Sequence, residues 1–312
     1  MNMTITTPET ITGKINPQEL TESRLQLHYA VQYIAATGAA LVEPLPDYSH
    51  TSMAWNPVLE AFVGATIQAV QPFQIALEPV SLTLSLIDHQ NDTIVSLPLH
   101  GKTMLEGLDW LQQEISKLGA DASKIVFLDY PPDDFPDHPL AHGAFFDASQ
   151  KLALRELADY YITAHRLIQT IVTTNENASA IHIWPHHFDI ATLITLPGSK
   201  NANPLTVGVG LSPGDTSYQE PYWYVSPYPY PDTANLPSLD GRAFWHTQHW
   251  VGAVLQASQF TENANAQTQQ QQVATFLHSA LKASITLLKS EPSANNINRS
   301  LGAMEKRFWK SK

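Results

Sequence analysis

The stretch Ile183-Trp184-Pro185-His186-His187-Phe188-Asp189-Ile190-Ala191-Thr192-Leu193-Ile194 sets two imidazoles and a carboxylate against aromatic rings, directly ahead of an apolar run. Read as strand, successive side chains face opposite ways. His186 then shares a face with Phe188 and Ile190, and His187 with Asp189 and Ala191. On that geometry the two histidines do not hold one ion together, whereas Asp189 can orient the His187 ring or share a metal with it. Pro185 is the residue that can bulge the strand and undo this count. The plain structural alternative is one buried, hydrogen-bonded histidine and another stacked on an aromatic ring. No reaction follows from the run.

Working outward, the segments 180–196, 205–211, 220–228 and 244–260 carry strand composition, and Gln267 to Leu288 reads as a helix with Val273, Phe276, Leu277, Ala280 and Leu281 on its apolar face. Pro227, Pro229 and Pro231 confine Tyr228-Pro229-Tyr230 to a sheet edge or an extended exit. Upstream, a helix is expected from Pro17 to about Gly38, and strands over 58–67, 73–87 and 93–99. Asp88-His89-Gln90-Asn91-Asp92 reads as a hairpin turn, and Lys102 to Leu118 as an amphipathic helix. Ile125 to Leu128 fits one short strand, Tyr130 to Phe146 a proline-rich connection, and Leu152 to Ile171 a further helix.

The organisation predicted is a disordered polar tail over 1–16, an N-terminal half over 17–130, a proline-rich connection over 131–147, a C-terminal half carrying the candidate site over 148–290, and a loose tail over 291–312. The fold class is α+β, mainly antiparallel sheet with flanking helices, the halves packed as one unit. Both halves run helix, strands, helix, and structural duplication is one reading of that rhythm.

Composition narrows the function classes. Against 29 acidic residues stand 17 Lys and Arg, a formal charge of −12, and no basic run offers a nucleic acid a local footing. With no cysteine, disulfides, thiolate metal sites and a cysteine nucleophile are excluded. No secretory leader is read at the N-terminus and no run of 18 apolar residues exists, so a soluble cytoplasmic protein without membrane attachment is expected.

Four further groups bear on chemistry. Gly210-Leu211-Ser212-Pro213-Gly214-Asp215 has turn composition, and lacks the Lys and the following helix of a phosphate-binding loop. Tyr222, Trp223 and Tyr224 place at least one ring on each face of a strand, and the outward ring can line a pocket. His246 and His249, three apart, would suit zinc from a helix but point apart on a strand. Asp47-Tyr48-Ser49-His50 reads as turn chemistry, since no nucleophile elbow accompanies it.

The blocks 184–191 (WPHHFDIA), 208–215 (GVGLSPGD) and 220–225 (EPYWYV) resemble signatures of uncharacterised bacterial proteins. More remotely, the order of parts over about 70–260 is similar to a large bacterial domain family of unknown function with an FWGSFDLA-type motif. There Phe188-Asp189-Ile190-Ala191 matches the family's Phe-Asp-Leu-Ala, and Pro-His-His replaces Trp-Gly-Ser. The resemblance implies a location at Asp189 and the aromatic strand, and no activity.

The leading expectation is a small-molecule site, enzymatic in one version, with His187 as acid/base and Asp189 as its orienting carboxylate. Trp184, His186, Asp215, Tyr222, Trp223, Tyr224, His246 and His249 are its candidate ligand-binding residues, and a divalent metal is a further candidate. The competing expectation is a non-catalytic interaction module using the aromatic and proline-rich segment 222–230. Neither substrate nor oligomeric state is read.

Overall fold

The computed structural model describes residues 12–131, 134–200, 202–262 and 265–290. The fold is α+β, as expected, with two antiparallel sheets. The first sheet is a meander of β1 (Ala54–Asn56), β2 (Ala61–Val63), β3 (Gln74–Glu78), β4 (Thr83–Ile87) and β5 (Thr93–Pro98). The second contains β6 (His182–Ile183), β7 (Ile190–Lys200), β8 (Asn203–Ser212), β9 (Tyr222–Tyr228), β10 (Phe244–His246) and β11 (Gly252–Gln256), in the order β10-β11-β9-β8-β7-β6. The two orders differ, so the shared rhythm of the halves is not a shared sheet topology.

The helices are α1 (Thr21–Ala30), α2 (Gln32–Leu41), α3 (Met104–Lys117), α4 (Lys151–Thr174), the short α5 (Ala257–Phe260) and α6 (Ala266–Lys289). None among the described residues is long and apolar enough to cross a membrane. Thr103 closes a reciprocal capping box with Glu106, which satisfies two donors at the start of α3. On the second sheet, Val207, Val209, Leu211, Trp223, Val225, Ala253 and Leu255 turn to one face, where α4 and α6 cover them. Gly208, Gly210, Ser212, Tyr222 and Tyr224 alternate onto the other face.

The halves share one core. Met53 bridges Ile183 in both hydrogen-bonding directions, joining the edges of the two sheets. At that seam Trp55, Phe62, Tyr161 and Phe188 pack ring on ring, with centroids 4.8 Å apart for Phe62–Tyr161, 5.1 Å for Tyr161–Phe188 and 5.2 Å for Trp55–Phe62.

Several local expectations are corrected. The segment 73–87 is two strands joined by a turn through Leu82, whose φ of 51° is left-handed. Ile125 to Leu128 forms no strand: Ile125 is buried, but its carbonyl accepts from the Gln112 side chain rather than from a neighbouring strand. Of the tail expected over 1–16, residues 1–11 lie outside the described residues, and residues 12–16 are packed. Thr12 exchanges backbone hydrogen bonds with the Gln269 side chain, and Lys14 pairs with Asp159 at 3.1 Å. The predicted C-terminal tail, 291–312, lies outside the described residues.

Candidate functional site

The run 184–189 is a tight hairpin rather than continuous strand. The Trp184 N–H donates to the Asp189 carbonyl at 2.9 Å, the Phe188 N–H donates to the Trp184 carbonyl at 2.7 Å, and Pro185 to Phe188 form the connection from β6 to β7. Phe188 takes φ 56°. That left-handed backbone costs roughly 1–2 kcal/mol, and burial of the Phe188 ring, only 1 % exposed, returns roughly 2–3 kcal/mol.

The hairpin overturns the face count made on a strand. His186 and His187 come together, with ring centroids 4.3 Å apart. Burial, and then the neighbouring His187, lower the pKa of His186 to about 3. His187 lies on the exposed side of the turn. No hydrogen bond joins His187 to Asp189 among the described residues; their relation is electrostatic.

The direct partner of Asp189 is Tyr224, whose hydroxyl donates to Oδ2 at 2.5 Å. Tyr224 reaches it from β9 across the whole width of β8. Gly210 lies between them, opposite both Tyr224 and Ala191. A Cβ at Gly210 would stand 2.7 Å from the Tyr224 hydroxyl and 2.7 Å from the Ile190 carbonyl oxygen. The glycine therefore leaves the lane along which the phenol lies. Desolvation raises the Asp189 carboxyl above its ordinary value, against the opposing pull of His187 and the Tyr224 hydrogen bond. The Tyr224 phenol is pushed up by burial and by Asp189.

Tyr222, two residues earlier on the same face, donates to Asp215 Oδ2 at 2.6 Å. Asp215 Oδ1 accepts from the Ser217 and Tyr218 N–H groups at 2.7 and 3.0 Å, which shapes the β8–β9 loop. The Tyr218 ring packs on Tyr222, and its hydroxyl meets His246 Nδ1 at 2.7 Å. His246 in turn stacks on Trp250 at 4.3 Å. A chain of polar and aromatic side chains thus runs from the hairpin to the far edge of the sheet.

Two candidate residues fall outside this chain. Trp223 points into the core, 1 % exposed, on the face opposite Tyr222 and Tyr224. His249 is exposed in the turn after β10, with φ 67°, and makes no hydrogen bond or ring contact among the described residues. Trp184 packs on His182 and lies edge-on to His186, with centroids 5.3 and 6.4 Å apart. No group of three His, Asp or Glu that could hold a metal ion is assembled among the described residues.

The N-terminal helices supply the residues that were missed. Arg24, His28 and Gln32 stand four apart on one face and are all buried, at 8, 5 and 4 % exposed. His28 Nε2 and Gln32 Nε2 both lie within hydrogen-bonding distance of the Pro185 carbonyl, at 3.0 and 2.9 Å. A carbonyl accepts, so His28 carries its proton on Nε2. Burial lowers the His28 pKa to about 3 and keeps the ring neutral. Tyr161 of α4 donates to the Phe188 carbonyl at 2.5 Å. Arg24 Nη1 lies beside Gly214. The signal for this stripe was a charged and two polar residues at helical spacing among Leu27, Ala30, Val31 and Ile34.

Behind the hairpin an open groove of about 640 Å³ is lined by Tyr29, Gln32, Met104, Tyr130, Phe135 and neighbouring residues. The Tyr130 hydroxyl donates to Gln32 Oε1 at 2.9 Å, and its ring centroid lies 6.4 Å from that of His186. Gln32 thus ties the groove wall to the hairpin.

No family model, curated protein or solved structure matches this chain.

Proposed function

We propose that this chain binds a small molecule at the hairpin end of its six-stranded sheet, with Asp189 and Tyr224 as the proton-holding pair and His187 on the open side. The observation that carries this reading is the 2.5 Å hydrogen bond between Tyr224 and a desolvated Asp189. A carboxyl whose pKa is raised by burial keeps its proton closer to neutral pH, which general acid–base chemistry requires. His187 is exposed beside it and can meet a ligand from solvent. In the enzymatic form of this reading Asp189 is oriented by Tyr224, and His187 acts from across the site.

The interaction-module reading has less support. Tyr222 and Trp223 are 5 and 1 % exposed, so a partner surface within 222–230 is reduced to Tyr228 and Tyr230, 41 and 38 % exposed.

The test is a thermal-shift screen of small metabolites against the wild type, Asp189→Asn and His187→Ala, each checked by circular dichroism. Compounds that raise the wild-type melting temperature and lose that effect in both folded variants support the reading. Shifts that survive both substitutions overturn it.

A further inference from the structure

Arg24, on α1, is the charged member of the buried stripe that runs from α1 into α2. It is 8 % exposed, yet it forms no ion pair among the described residues, and its Nε has no hydrogen-bond partner. The contrast within the chain is Arg155, which is 40 % exposed in its side chain and pairs with Glu60 at 2.6 Å and Asp159 at 3.0 Å. A guanidinium taken out of water without a partner is costly, and a buried charge is ordinarily paired or hydrogen-bonded.

The neighbouring acids do not fill the gap. Asp215 attracts Arg24 electrostatically, but its oxygens receive Ser217, Tyr218 and Tyr222. Asp189 Oδ2 receives Tyr224. Arg24 Nη1 sits against Gly214, which carries a φ of 111° and whose Cβ, were it present, would stand 3.1 Å from that nitrogen. The guanidinium is thus held at the loop that bears Asp215, with the Tyr161 and Tyr222 phenols in its field.

We infer that Arg24 is the docking group for a carboxylate-bearing small molecule at this site. The inference rests on the small-molecule reading above and names its ligand class. A planar guanidinium presents parallel N–H donors that match a carboxylate in bidentate geometry. The surroundings favour a monoanion over a phosphate dianion. The Gly214 N–H is spent on Ser212 Oγ, and the Ser217 and Tyr218 N–H groups on Asp215, so those loop donors are not free for a second charge. Asp215, the acid in the field of Arg24, adds negative charge against a dianion. The exposed His187 ring and the half-buried His186 ring, with centroids 4.3 Å apart, supply flat surfaces for an aryl body.

The experiment is calorimetric titration of the full chain with benzoate, benzamide and inorganic phosphate, using the wild type, Arg24→Gln, Arg24→Lys and Asp189→Asn. Benzoate is expected to bind at least about tenfold more tightly than benzamide or phosphate, a difference of about 1.4 kcal/mol. Arg24→Gln should abolish that preference, and Arg24→Lys, which keeps the charge and loses the fork, should weaken benzoate about tenfold. If Arg24→Gln does not fold, Arg24→Lys carries the test. Benzoate bound no better than benzamide, including no binding of either, overturns the inference, as does benzoate affinity unchanged in the folded Arg24 variants. Benzamide binding that needs Asp189 but not Arg24 overturns it while leaving the site reading in place. Arg24-dependent benzoate binding indifferent to Asp189→Asn overturns the site reading alone.

Discussion

Tyr224 on β9 and Asp189 at the start of β7 are joined by a 2.5 Å hydrogen bond that spans the intervening strand over Gly210. The bond ties the hairpin to the sheet at a point where a side chain on β8 would block it. Removing the donor isolates its contribution. Tyr224→Phe keeps the ring and leaves a desolvated carboxyl without its phenol, so a loss of about 1–3 kcal/mol is expected in urea unfolding. An unchanged midpoint and slope would show that water replaces the phenol at no cost.

Gly210→Ala tests the lane itself. Its Cβ would meet the Ile190 carbonyl and the Tyr224 hydroxyl at 2.7 Å each, and one of these is backbone that cannot swing aside. A destabilisation of about 1–3 kcal/mol is expected, as for other overpacked sites, together with loss of whatever ligand binding depends on Asp189. An alanine variant as stable as the wild type would mean that the strands spread freely at this point.

The raised Asp189 pKa has a signed consequence. The folded state holds this proton more tightly than the unfolded chain, whose carboxyl titrates near ~3.9. The contribution is therefore fully present below that value and is lost as pH rises through the folded pKa. Asp189→Asn removes the titration, and its amide oxygen can still accept from Tyr224. The stability of Asp189→Asn relative to wild type should climb as pH is raised from 3 towards 7. A pH-independent difference would rule out the desolvated carboxyl.

His28 acts in the opposite direction. Its folded pKa is lowered to about 3, with burial as the leading cause, whereas the unfolded ring titrates near ~6.5. Stability is intact above the unfolded value and falls as pH drops from there towards 3, with a ceiling of about 5 kcal/mol for the full gap. His28→Gln keeps an N–H donor near Pro185 and removes the charge. Its unfolding free energy should depend less steeply on pH between 6.5 and 3 than the wild type's, as read from urea titrations at several pH values.

Local sequence pattern determined much of the frame. The apolar periodicity of 102–118 and 152–171 sufficed for α3 and α4, because a helix buries one stripe and writes that stripe into its own residues. Asp88 to Asp92 turned the chain as read, since the Asp88 carboxylate caps the turn with residues a few positions away. Asp189 was also legible, as an acid set among rings beside an apolar run. Its partner was not. Alternation predicted His187 across a strand face, but Pro185 and the left-handed Phe188 curl the backbone into a hairpin, and Tyr224 arrives from two strands away. The polar stripe Arg24, His28, Gln32 has helical spacing in the sequence, yet what it faces lies far along the chain: His28 meets the carbonyl of a residue 157 positions later. Spacing within an element follows from local backbone geometry. Which elements meet depends on how the two sheets and the helices close over one core, and that tertiary packing decided which side chains gather at the candidate site.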